Sequence, residues 1–159
     1  LLFAIRFSLV VNSECRTANS EQQTMTDLFN YPPKILLAFG EAIDGNRVIH
    51  DWLVKNGYPE LGALAYAIRG SDEAFTWLLQ NGFPHMAALD SAIDEKPQAY
   101  KWLKENNFPN HIVFADACQN KREAVDWFMK NRLQLLFRIT QRIRILRDNV
   151  TFDYHKLHF

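Results

Sequence analysis

The chain has 159 residues, with basic and acidic side chains balanced at 18 each. That neutrality excludes a molecule drawn as a whole to nucleic acid or anionic membrane. Its length and its 48% hydrophobic content allow a sizeable buried core, which excludes a largely disordered polymer.

The first stretch, LLFAIRFSLVV, is apolar, too short to span a bilayer, and carries Arg6. It fits either a truncated signal-peptide core or translation upstream of a start at Met25. Residues 1–24 are therefore set apart from the fold, and residues 25–159 read as one helical-repeat domain. Cys15 and Cys118 are expected to be free thiols.

From residue 36 the sequence repeats. Tryptophans stand at Trp52, Trp77, Trp102 and Trp127, 25 residues apart, within the blocks 36–60, 61–85, 86–110 and 111–135. The fourth column holds Phe39, Leu64, Leu89 and Phe114, and the seventh holds Ala42, Ala67, Ala92 and Ala117. The eighteenth holds Leu53, Leu78, Leu103 and Phe128. Apolar columns three, four, seven and eight form one helical stripe, and columns fourteen, fifteen, seventeen and eighteen form a second. Gly45-Asn46, Gly70-Ser71 and Asn120-Lys121 supply turns between them. Each block is thus a helix–turn–helix hairpin.

The blocks meet at joints such as Asn81-Gly82-Phe83-Pro84. A glycine past a helix end takes positive φ without a Cβ clash, and the proline opens the next helix, where its missing N–H costs nothing. A lone hairpin leaves its apolar face bare, so each must stack on the next. The tryptophans are expected at that seam, each worth about 3–5 kcal/mol on truncation to alanine. Past Trp127 the pattern blurs: Asn131-Arg132 breaks the joint, and residues 136–159 read as a degenerate cap with Phe152 on the tryptophan column. The predicted class is all-α, a short curved rod of four hairpins.

The second block, LAYAIRGSDEAFTWLLQNG from Leu64 to Gly82, resembles the helical pair of ankyrin repeats. Ala67, the turn Gly70, Glu73, Leu78-Leu79 and Asn81-Gly82 keep the ankyrin order. The resemblance implies an ankyrin-like α-solenoid, although the usual unit is about 33 residues with a Thr-Pro-Leu-His entry. Here the unit is shorter, and the tetrapeptide and the finger-like β-turn are missing. Shortened units also resemble those of uncharacterised bacterial proteins, which implies no activity.

No residue pattern points to catalysis, a cofactor or a small-molecule substrate. His50, His85 and His111 lack metal-ligand spacing, and His155 and His158 form at most a weak pair in the tail. Asp90, Asp94 and Asp116 read as an acidic solvated face rather than acid–base machinery. The expected function is protein–protein interaction through the exposed face of the first helices, with Tyr66, Arg69, Ser91, Asp94, Asp116 and Gln119 as contacts. The alternative is nucleic-acid binding by Arg138, Arg142, Arg144 and Arg147. Charge segregates accordingly, with 13 acids against 8 bases over residues 41–126 and 7 bases against 2 acids from Trp127 on. The capping role for that tail packs its Leu, Phe and Ile on the stack and turns its arginines to solvent or the acidic body. Without a convincing signal or membrane span, a cytoplasmic location is expected.

Overall fold

A computed structural model describes residues 25–156, with side chains as far as Asn149. Cys15, the expectations about a leader, and the side chains of Phe152, His155 and His158 lie outside the described residues. A short 3-10 turn, Leu28–Asn30, precedes nine helices, with no strand among the described residues. They are α1 (Pro33–Ile43), α2 (Arg47–Lys55), α3 (Pro59–Ile68), α4 (Asp72–Gln80), α5 (Pro84–Ile93), α6 (Pro97–Glu105), α7 (Pro109–Cys118), α8 (Arg122–Lys130) and α9 (Gln134–Lys156).

The local chemistry explains these boundaries. Proline takes the first turn of α1, α3, α5, α6 and α7, where no intrahelical N–H is lost. The side chains of Asn46 and Ser71 accept the N–H groups of Ile49 and Ala74, capping α2 and α4. At each joint an asparagine amide donates back to the tryptophan carbonyl four residues earlier. These bonds run from Asn56 to Trp52 at 2.7 Å, Asn81 to Trp77 at 2.8 Å, Asn106 to Trp102 at 2.8 Å and Asn131 to Trp127 at 2.7 Å. The next residue turns to positive φ, and the one after it donates its N–H to Leu53, Leu78, Leu103 or Phe128, closing a Schellman motif. The fourth joint obeys the same rule: Arg132 adopts φ 56°, so Asn131-Arg132 keeps the joint that its sequence was expected to break. The side-chain and backbone bonds around it hold a non-glycine residue there despite the αL cost, about 1–2 kcal/mol.

Packing is cyclic. Helices α1, α3, α5 and α7 each rest on the next, α9 rests on α7, and α9 also meets α1. The row of first helices therefore closes on itself through the long C-terminal helix, where the sequence suggested a curved rod with an end cap. Outer helices α2, α4, α6 and α8 pack against this inner set. An inner helix of such a ring is covered from two sides, so it must be apolar nearly all round. Helix α5 is the extreme case, with every residue from His85 to Ile93 buried.

The core follows the predicted columns. Phe39, Leu64, Leu89 and Phe114 of column four are fully buried, as are Leu53, Leu78 and Leu103 of column eighteen, with Phe128 at 1% exposure. From α9, Leu136, Ile139 and Ile143 join the same core, as expected for a capping tail. The tryptophans stay at its margin: Trp77, Trp102 and Trp127 pack against the core without being enclosed by it. Trp52 is 36% exposed, and the other three are only half-buried. Trp77 lies flat on Phe83 and Trp102 on Phe108, with ring centroids 5.9 and 6.0 Å apart. At these two joints the indole covers the aromatic of the turn, whereas Trp127 packs on Phe29 and Phe128, and column eighteen carries the seam.

Candidate functional site

The six contact candidates are largely engaged within the chain. Tyr66 is half-buried, with its ring stacked on His50 at 3.8 Å. Arg69 is exposed, yet its guanidinium donates to the Ile43 carbonyl at 2.9 Å and lies over Gly45. Gln119 makes the equivalent reach two hairpins later, donating to the Ala92 carbonyl at 2.9 Å and to the Tyr100 hydroxyl at 2.8 Å. In column nine, Arg69 and Gln119 thus each stitch their hairpin to the preceding one. Asp116 accepts from Tyr100 at 2.8 Å and from Lys121 at 2.7 Å. Ser91, expected to be exposed, is buried at 4%, because α5 is covered on both sides.

Asp94 belongs to a different grouping, and that grouping is the candidate site. Arg147, on α9, points one nitrogen at Asp94 (3.0 Å) and another at Asp90 (3.4 Å). Five residues earlier, Arg142 pairs with Asp44 at 2.9 Å and Glu41 at 3.2 Å. Arg144 faces Asp148 on its own helix at 3.8 Å, and Arg138 is exposed. Two of the four arginines proposed for nucleic acid therefore hold α9 against the acidic ends of α1 and α5.

Beside Arg147 a cavity of about 590 Å³ opens between the end of α3, the outer helix α4, and α5. Asp72, Asp90 and Asp94 give it carboxylates, Lys96 and Arg147 give it cations, and Phe75 and Leu79 form an apolar wall. Asp90 is 7% exposed, and burial pushes its carboxyl up to about 7. The Arg147 charge pulls it down, and Asp94 and Asp72 push it further up. The site therefore pairs a buried acid that holds its proton up to about neutral pH with a more exposed one, under one shared guanidinium. A second cationic group entering the cavity meets the same two acids that hold Arg147.

A second feature lies at the opposite ends of the inner helices. Residues 26–31 run across the starts of α3, α5 and α7. Tyr31 donates to Glu60 at 2.8 Å, Asn110 donates to Asp27 at 3.1 Å, and the Leu28 N–H donates to Nε2 of His111 at 3.1 Å. Nε2 of His85 lies 3.1 Å from the Thr26 carbonyl. Phe29 packs on Phe114, Trp127 and Phe128 at 6.4, 6.2 and 5.8 Å. Both histidines are fully buried, and their rings are 5.8 Å apart. Burial lowers each to about 4. Metal-ligand spacing does not reveal this pair. The available signal is position: each histidine follows a joint proline, on the first turn of an inner helix that is covered from all sides.

No known protein family, curated protein or solved structure matches the chain. Among the described residues no group of three or more His, Cys, Asp and Glu is placed to hold a metal ion, and no helix is long and apolar enough to cross a membrane. Cys118 is a buried free thiol, and burial pushes it well above the usual thiol range.

Proposed function

We propose that the protein is a non-enzymatic interaction scaffold of ankyrin-like helical hairpins that seats a cationic side chain of a partner protein between Asp90 and Asp94. The observation that carries this reading is the fork of Arg147 on both acids beside an open cavity: the chain's own guanidinium stands where a partner's would bind. The cavity falls in the size range of ordinary binding pockets, about 300–1,000 Å³. Phe75 and Leu79 offer apolar contact to the aliphatic stem of such a side chain. Ser91 and Asp94, two of the sequence candidates, lie on its wall. The nucleic-acid alternative has less behind it, because Arg142 and Arg147 already face carboxylates and a phosphate would compete with them.

Thr76 and Gln80 line the cavity from exposed positions on α4, so arginines there change its charge without touching the core. The paired substitution Thr76→Arg and Gln80→Arg is expected to lower capture of a partner from native lysate by tenfold or more. The matched change Glu123→Arg, at an exposed position on another outer helix and outside the cavity lining, should leave capture intact. Equal capture by both variants would reject the assignment.

A further inference from the structure

The segment 26–31 is fastened to the inner helices through acceptor and donor roles that a proton would reverse. Nε2 of His111 accepts the Leu28 N–H, so in this state its single proton is on Nδ1. Nε2 of His85 faces a carbonyl and therefore carries its proton, leaving Nδ1 bare and without a hydrogen-bond partner among the described residues. A proton added to Nε2 of His111 would set two N–H groups against each other. Asp27 Oδ1, 3.7 Å away on the segment itself, would attract that charge, but burial outweighs it, and His111 stays low while the segment is seated. A proton added to His85 would place a second cation 5.8 Å from the first. The charged groups facing the pair are Asp27 from the segment and each histidine for the other, from α5 and α7. Glu60, at the start of α3, is bonded to Tyr31. The joint aromatics Phe83 and Phe108 supply only rings to the histidines.

We propose that residues 26–31 are a proton-released latch: acidification charges His111 and His85, breaks the Leu28 bond, and lifts the segment from the starts of α5 and α7. Lifting it uncovers the apolar surface that Phe29 covers on Phe114, Trp127 and Phe128. The buried imidazoles hold their neutral form down to about pH 4, whereas imidazole in water takes its proton near 6.5. Acidification between those limits therefore shifts the balance toward release, because the freed form binds protons more tightly. Leu28 is fully buried and Phe29 half-buried, and their packing opposes release above that window.

Amide hydrogen exchange of the full chain between pH 7.5 and 4.5, corrected for intrinsic exchange, tests this. The Leu28 amide should be protected at pH 7.5 and lose at least tenfold of its protection by pH 4.5, while the amides of Leu64, Leu89 and Leu103 keep theirs. His111→Gln, whose amide oxygen accepts a hydrogen bond but takes no proton, should retain Leu28 protection at pH 4.5. Leu28 protection that stays flat until the helical amides fail with it would overturn the proposal. So would a loss that His111→Gln leaves unchanged. If the variant does not fold, the site-resolved comparison in the wild-type chain still decides, since flat or global loss contradicts a local release.

Discussion

Truncating Phe114 to alanine should lower the unfolding free energy by about 3–5 kcal/mol, whereas Trp52→Ala should cost about 1 kcal/mol or less. Phe114 is fully buried on inner helix α7 and meets Phe29 edge-on, while Trp52 keeps 36% of its surface in solvent. A void left at an inner helix has packed neighbours on two sides, so it collapses poorly, and the cost of a void rises with the volume that remains. Urea denaturation of both variants, with unchanged m-values as the check on two-state behaviour, measures the difference. Equal losses would return the tryptophans to the seam.

The second large effect belongs to Asp90. Its folded-state value, about 7, lies above the ordinary 3.8, so the folded protein holds that proton more tightly than the unfolded chain. Its contribution to stability is whole below pH 3.8 and is lost as pH rises through 7. At pH 8 the buried carboxylate costs up to about 4 kcal/mol, since each tenfold difference in proton affinity between the folded and unfolded chain is worth about 1.4 kcal/mol. Asp90→Asn keeps an acceptor for Arg147 and removes the titration. The variant should exceed the wild type by about 2–4 kcal/mol at pH 8 and by under about 1 kcal/mol at pH 4, measured by denaturant unfolding at each pH. Comparing variant with wild type at each pH cancels the opposite drift from His85 and His111, whose lowered values remove stability as pH falls from 6.5 toward 4. A difference that does not change with pH would contradict the burial argument. An acid held at such a cost beside a cavity fits a binding role, because sites are where stability is commonly given up.

Much of the helical pattern is legible in the sequence because it is local. Column four and column eighteen name the core, and Pro59, Pro84 and Pro109 name the helix starts, since period and φ preference act within a few residues. Ring closure is not legible, because the meeting of α9 with α1 is a long-range contact between segments more than ninety residues apart in sequence. The tryptophan column misleads for a related reason: an incompletely buried indole beside a joint repeats in sequence as faithfully as one in a core. Arg132 hides the repeated joint geometry behind an unfavourable residue, since the back-bonded Asn131 amide fixes the turn. Of the site, the sequence marks Ser91, Asp94 and Arg147 separately and assigns Asp90 to a solvated face. What sequence spacing cannot supply is that α9 brings Arg147 over α5 and makes these residues one place.

Closure through α9 is the claim on which both the site and the burial of the inner helices depend. A nuclear Overhauser spectrum of the unmodified protein tests it most directly, at the point where a Cβ on Gly40 would lie 3.6 Å from Cγ1 of Ile139. Cross-peaks between the Gly40 α-protons and the Ile139 side chain are the expected result. Their absence, in a spectrum where α9 still shows contacts to α7, would mean that the first helices form an open row and that the ring does not exist.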